Sequence, residues 1–540
     1  MIRNPVLPGF NPDPSMVRVG EDYYIATSTF EWFPGVQIYH SRDLANWTLR
    51  TRPLTRTSQL DMRGDPDSCG IWAPCLSWSD GLFHLIYTDV KRYGRTTVGG
   101  ASGASLRDFH NYLVTAPSID GPWSERVYLN SSGFDPSLFH DDDGRKYLLN
   151  MLWDHRPARN RFAGIVLQEY DAARQALVGE RHLIFGGTSL GLTEAPHLYK
   201  RDGWYYLLTA EGGTGWNHAV TMARSRSLTG PYELHPDTYI LSSRQRPDAP
   251  LQRAGHASLV HAPDGTPWVA YLCGRPLPNR GRCVLGRETA IQPMRWGDDG
   301  WLYTLAGDAL PLASIEHPAA APAYTECRYA FDSATLPIDF QWLRTPEPAG
   351  IFSLTARPGY LRLFGRETLG SLFTQALVAR RQQAFCYSAS TRIEVEPLHF
   401  QQAAGLICYY NSAKFHYLHV THDEQHGRHL RVMSALPDSP QADSFTAPIA
   451  IRPGPIELGV DVDFERLRFR YRQQGDATWR WLPEQFDASI LSDEATTPGA
   501  PNFTGAFTGV ACQDMAGTAM PADVAWFDYR ERDYRADATA

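Results

Sequence analysis

No stretch of about 18 consecutive apolar residues occurs in the sequence, so no membrane-spanning helix is expected. The first ten residues, MIRNPVLPGF, are broken by prolines and carry no apolar run of signal-peptide length. Cysteine is sparse and scattered. The eight residues form no C-x-x-C pair, so neither a disulfide framework nor a zinc site is expected, and reduced buried thiols are the default. A basic excess is missing too. With 51 Lys and Arg against 59 Asp and Glu, the net charge of −8 argues against nucleic acid or an anionic membrane as partner. These absences point to a cytoplasmic protein without membrane contact. Helical periodicity is weak throughout, which leaves an all-β chain as the expectation.

Aromatic residues are plentiful: 15 Trp, 26 Tyr and 24 Phe. Sugar-binding clefts and all-β cores both use such rings, so this count does not choose between them. A repeat is more informative. DPSMV at 13, APCLS at 73, DPSLF at 135, APHLY at 195 and HASLV at 256 recur every 60 to 62 residues. Each is followed by a turn and a second apolar run, and four of the five turns contain Asp-Gly, a strong hairpin signal. SRDLANW, SIDGPW and SLTGPY recur between units and read as turns into outer strands. Several short strands per unit of this length predict a five-bladed β-propeller over 1–315. PLASIEHPAAAPAY follows, giving a Pro/Ala-rich linker at 316–324. Residues 325–540 carry alternating runs such as STRIEVEP, FHYLHVTH and RLRFRYRQ, which predict an antiparallel β-sandwich.

The first repeat raises a chemical question. GFNPDPS holds Asp13 between two prolines, and Pro14 is expected to push it away from the helical region. Asp135 occupies the same register in the third unit, and Glu194 lies one residue before it in the fourth. Innermost propeller strands line one axis, so the three acids should meet at one mouth. They could cap turns or hold a cation there. The alternative is acid–base chemistry, in which one carboxyl stays ionised and another protonated, as hydrolysis of a glycosidic bond requires.

GFNPDPS, GIWAP, GFDPSLF, TEAPHLY, GHASLV and LGRET together resemble glycoside hydrolase family 43. NFTGAFTGV and PADVAWFDYRE resemble the concanavalin-like C-terminal sandwich of its two-domain β-xylosidases, so the resemblance spans nearly the whole chain. It implies an inverting exo-glycosidase that releases D-xylose from β-1,4-xylooligosaccharides. The rivals are an α-L-arabinofuranosidase, alone or as a dual activity, and a non-catalytic carbohydrate-binding propeller. In the implied assignment Asp13 is the general base, Glu194 the general acid, and Asp135 tunes the acid. Arg287 and His256 would contact the sugar, Phe30, Trp72 and Trp153 would line its subsites, and Phe503 would close the pocket from the sandwich. For Arg287 a surface salt bridge is the plain alternative, for His256 a satisfied buried imidazole, and for the aromatic residues a core role. No cofactor is implied, although relatives leave room for a calcium ion in the channel near His256. A homo-oligomer, dimer or tetramer, is also implied. Two departures stand out: Cys75 replaces the acid of the usual WAPD, and Ala195 replaces the glycine of TEGP.

Overall fold

In a computed structural model the described residues are 1–93, 106–318, 325–437, 444–495 and 502–532. The repeat folds as five four-stranded antiparallel blades. In the first, Ser15–Val19 is innermost and Asp22–Thr27, Gln37–Ser41 and Thr48–Thr51 follow outward. The other innermost strands are Gly70–Ser79, Ser137–His140, Glu194–Arg201 and Gln252–His261, each beginning at or beside a repeat motif. The hairpin turns explain why Asp-Gly recurs. Asp80 and Gly81 take φ of 54° and 75°, and Asp202 and Gly203 take 51° and 73°. Two successive positive φ values belong to a tight turn that matches the twist of the strands it joins.

The ring closes through its first residues. Ile2–Arg3 pairs with Ser314–Ile315, and Asn4 Nδ2 donates to the carbonyls of Ile291 and Leu312, both at 2.7 Å. Of the linker, 319–324 lie outside the described residues. Glu326–Tyr329 is the first strand of the second domain.

That domain packs two nine-stranded antiparallel sheets face to face, one of which takes its ninth strand from the propeller. Alternation builds it: Leu406, Leu418, Val432 and Val510 face the opposite sheet's Leu458, Val460 and Val524 in one fully buried core. The only helical elements among the described residues are two single 3₁₀ turns, Pro348–Gly350 and Ala488–Ile490.

The two domains share a sheet. Trp32–Phe33 leaves the first blade and pairs with Phe340–Leu343 at the edge of one sandwich sheet. Trp32 is fully buried there and stacks on Phe507 with ring centroids 3.8 Å apart. Beside it, Arg381 donates from Nε to Phe10 O at 2.6 Å and from Nη1 to Gln37 Oε1 at 2.9 Å. Burial pushes the Arg381 guanidinium down to about 10 and that of Arg52, which shares Gln37, to about 9. A sandwich arginine is thus wired into the segment that precedes Asp13.

Candidate active site

The repeat register is a backbone feature before it is a chemical one. Asp13, Ala73, Asp135, Ala195 and His256 occupy one position in the five blades, and all five take positive φ: 57°, 35°, 53°, 50° and 50°. Pairing slips at this point between Trp72 and Cys75, between Glu194 and His197, and between Gly255 and Ala257. These are β-bulges, which re-aim side chains at the end of a strand. Asp13 is thus out of the right-handed helical region, as the following proline disposes it to be, and takes the left-handed one. Aspartate tolerates the left-handed region better than most residues.

The bulge also explains the one-residue offset of Glu194. At the slip, successive residues turn toward the mouth instead of to opposite faces. Trp72, Phe134 and Glu194 precede the positive-φ position in three blades, and all three line one cavity with Asp13, Asp135 and His256. This cavity has a volume of about 270 Å³. Phe30, Tyr93, Phe162, Arg287 and Phe503 complete most of its wall.

Asp13 is held by donors on both oxygens. Ser28 Oγ donates to Oδ2 at 2.6 Å, and Arg287 Nη1 donates to Oδ1 at 2.9 Å. Ser28 Oγ also accepts from the Ala73 backbone N–H at 2.7 Å, so the hydroxyl ties the first blade to the second. The segment around Asp13 is fixed as well: the Asn11 N–H donates to Arg287 O, and the Ser28 N–H donates to Pro12 O. Asp135 Oδ2 accepts from the Ala195 N–H at 3.1 Å, which joins the third blade to the fourth.

The other two acids are poorly compensated. Burial, then the negative charge of Asp13, pushes Glu194 up to about 8. Burial, then the repulsion of Glu194 and Asp13, pushes Asp135 well above the usual carboxylate range. Dehydration and like charge both disfavour ionisation, so protons stay on this pair at neutral pH.

Arg287 is buried and engages two domains at once, donating to Asp13 and, from Nη2, to Phe503 O at 3.0 Å. It is no surface salt bridge. Phe503 comes from the sandwich, where its N–H donates to Ser68 Oγ at 3.1 Å. Its ring meets Trp72 edge-on at 5.5 Å and Tyr93 at 5.7 Å. A side chain more than two hundred residues beyond Arg287 thereby closes one wall.

Trp153 stands elsewhere. It does not line the cavity but backs its wall, 6.3 Å from Tyr93 and 5.7 Å from Phe162. Tyr93, Phe134 and Phe162 line the wall and were missed by the motif reading. Phe134 was within reach, since it precedes Asp135 as Trp72 precedes Ala73. Tyr93 and Phe162 lie outside the repeat motifs and carried no signal.

Below the mouth the axis holds imidazoles. His256 Nδ1 lies 3.5 Å from Asp13 Oδ1. Burial pushes His256 and His197 down to about 3, so both rings are neutral. Cys75 lies 4.0 Å from His197 Nδ1, and burial pushes its thiol up. Calcium takes six to eight oxygen ligands, and two neutral imidazoles with a thiol do not supply them. No group of three or more His, Cys, Asp or Glu among the described residues is placed to hold a metal.

Residues 2–302 match glycosyl hydrolases family 43, and residues 328–530 match the beta xylosidase C-terminal concanavalin A-like domain. The chain belongs to glycosyl hydrolases family 43. Among family relatives, xylosidase/arabinosidase 43B of Humicola insolens is 53% identical over 99% of both chains. The beta-xylosidase of Bacillus subtilis (strain 168) is 49% identical over 98% of this chain and 100% of its own. The crystal structure of xylan beta-1,4-xylosidase from Bacillus halodurans C-125 superposes with a TM-score of 0.93 at 48% identity, covering 98% of this chain and 100% of that one. The family site thus sits in a chain whose two domains both have counterparts in full-length relatives.

Proposed function

We propose that the chain is an inverting, exo-acting β-xylosidase that releases D-xylose from the non-reducing ends of β-1,4-xylooligosaccharides. The observation that carries this is the unequal treatment of the acids in one closed cavity: Asp13 fixed by two donors, Glu194 and Asp135 left short of them. Asp13 takes the proton of a water that attacks the anomeric carbon. Glu194, protonated at neutral pH, gives its proton to the departing glycosidic oxygen. Asp135, positioned by the Ala195 N–H, cannot carry charge together with Glu194 in this buried cavity, so the pair gives up its protons reluctantly. Arg287 holds Asp13 on one side and the Phe503 loop on the other, so base and pocket wall share one anchor. A pocket stopped by Phe503 suits a chain end rather than the middle of a polymer.

The reaction needs no cofactor, since a carboxylate activates the water. The close relative named for both xylosidase and arabinosidase activity favours a second, α-L-arabinofuranosidase activity in the same pocket. Assembly as a homo-oligomer belongs to the reading too. So does action in the cytoplasm, which the eight unpaired cysteines suit.

Two measurements test the core of it. Nitrophenyl β-xyloside should be cleaved faster than nitrophenyl α-arabinofuranoside, and NMR should record α-xylose as the first product. β-Xylose appearing first would mean a covalent intermediate and would sink the inverting mechanism.

A further inference from the structure

One sandwich sheet carries two different surfaces on the same face. Along its strands the even-numbered residues point into the sandwich core and the odd-numbered ones point outward. Leu377, Tyr409, Phe415, Phe507 and Ala511 are such odd positions, and they share one apolar cluster with Phe10, Phe30 and Trp32 of the propeller. Further along the same strands the odd positions turn polar. Gln513 pairs with Ala403, His419 with Arg431, and Thr421 with His429. Here the propeller no longer covers the sheet, and these residues line a hollow of about 430 Å³.

The hollow is floored by hydrogen-bond acceptors. His419 Nδ1 lies 3.0 Å from Tyr417 O, and His429 Nδ1 lies 2.9 Å from Gly427 O. A carbonyl only accepts, so both Nδ1 atoms donate, which leaves the neutral His419 ring with its lone pair on Nε2. Burial pushes His419 down to about 4, which keeps it neutral at pH 7. His429 is 1% exposed, and its Nε2 has no hydrogen-bond partner among the described residues, with Asp423 Oδ2 3.8 Å away. Gln513 is 9% exposed, and its Oε1 is likewise unpartnered among the described residues. Buried acceptors of this kind are costly unless a donor reaches them.

The rim supplies the other half of the chemistry. Phe445 is 49% exposed with the Arg431 guanidinium 4.5 Å from its centroid, and Phe400 is 63% exposed. Outward-facing rings beside inward-facing acceptors call for a ligand with apolar faces and many O–H donors. An apolar peptide would leave these polar atoms unsatisfied. We propose that this hollow is a second carbohydrate site, which holds a neutral xylan or xylooligosaccharide chain beside the catalytic domain. The choice of xylan rests on the proposed function; the match to a hydroxyl-rich chain rests on the hollow itself. Strand Phe507–Asp514 links the two sites, beginning just after the Phe503 loop and reaching Gln513 about 20 Å further on.

The test uses the full chain carrying Glu194→Ala, titrated with xylohexaose by calorimetry. Two sites per chain are expected, one of which disappears, or weakens at least tenfold, when His419→Ala and Gln513→Ala are added. Phe445→Ala, an exposed position, should weaken the same site without altering the melting temperature. In the otherwise unsubstituted enzyme the His419→Ala, Gln513→Ala pair should leave kcat/KM on nitrophenyl β-xyloside within twofold and lower the rate on polymeric xylan. Xylohexaose binding unchanged by all three sandwich substitutions would overturn the proposal. Sedimentation showing that they split an oligomer, with sugar binding intact, would overturn it too and make the hollow a subunit contact. A single site that vanishes with His419→Ala and Gln513→Ala, in an enzyme inactive on nitrophenyl xyloside, would keep the sandwich site and remove the catalytic reading.

Discussion

The propeller mouth and the paired arginines Arg344 and Arg253 of the domain seam both bury charge, but they treat it in opposite ways. At the seam Arg344 is fully buried, pairs with Asp67 at 2.7 Å, and donates to Asp65 O and Gln375 Oε1. Arg253, nearby, meets Glu494 and Asp493 of the sandwich. At the mouth three carboxyls share one guanidinium, and Arg287 bonds only Asp13 among them. Pairing makes a buried charge adhesive. Withholding a partner raises the proton affinity of an acid, which is what a general acid at neutral pH requires.

The largest effect should come from breaking the mouth. Asp13→Ala should lose ~10²–10⁴-fold in rate on both xylobiose and nitrophenyl β-xyloside, because no water is activated. Glu194→Ala should lose comparably on xylobiose and far less on the nitrophenyl substrate, whose leaving group departs without a proton. Equal losses on the two substrates would remove Glu194 from the acid role.

Breaking the seam should cost stability instead. Arg344→Ala takes the cation from half-buried Asp67 and leaves Asp65 O and Gln375 Oε1 without their donor, a loss of ~1–3 kcal/mol. The melting temperature should fall, while the pH profile of whatever enzyme remains folded keeps its shape. A moved pH optimum with unchanged stability would contradict the division between the two regions.

A third change sharpens the contrast through pH. Glu194 is raised in the folded chain from 4.5 to about 8. Its contribution to folding is therefore complete below the unfolded value and is lost as pH rises through about 8. Glu194→Gln removes that loss. The gain in melting temperature over the parent should be small at pH 5 and largest at pH 9. A gain that is the same at both pH values would mean that Glu194 is not raised by burial.

The smallest effect concerns Ala195. Its φ of 50° is a conformation glycine adopts freely, and the methyl group costs ~1 kcal/mol there. Ala195→Gly should raise the melting temperature slightly, with kcat little changed because the N–H that positions Asp135 is kept. Loss of stability would mean that packing of the methyl group outweighs the backbone strain.

Periodicity made the propeller readable before any coordinates, because each blade is a local unit whose strands and turns are written in consecutive residues. The runs STRIEVEP, FHYLHVTH and RLRFRYRQ likewise became the strands Cys386–Glu394, Lys414–Asp423 and Arg466–Gln473. The acids were readable because a shared register implies a shared end of the axis. Trp153 shows the limit of that logic. It follows the register on a second strand, where a bulge between Met151 and Trp153 leaves it behind the wall instead of in it.

By itself, then, the sequence determined the blade count, the β-sandwich and the three acids at or beside one register, since hairpin chemistry and strand alternation act over a few residues. Tertiary structure alone decided three further things. It turned Glu194 toward Asp13 and Asp135, because a bulge is a mismatch between two strands and not a property of one. It brought Phe503 against Trp72 and Arg287, and set Trp32–Phe33 into the sandwich sheet, because such contacts depend on how two separately patterned domains dock. It also left His429 and Gln513 in an uncovered hollow, because alternation says which face a residue takes, while only packing says what covers that face.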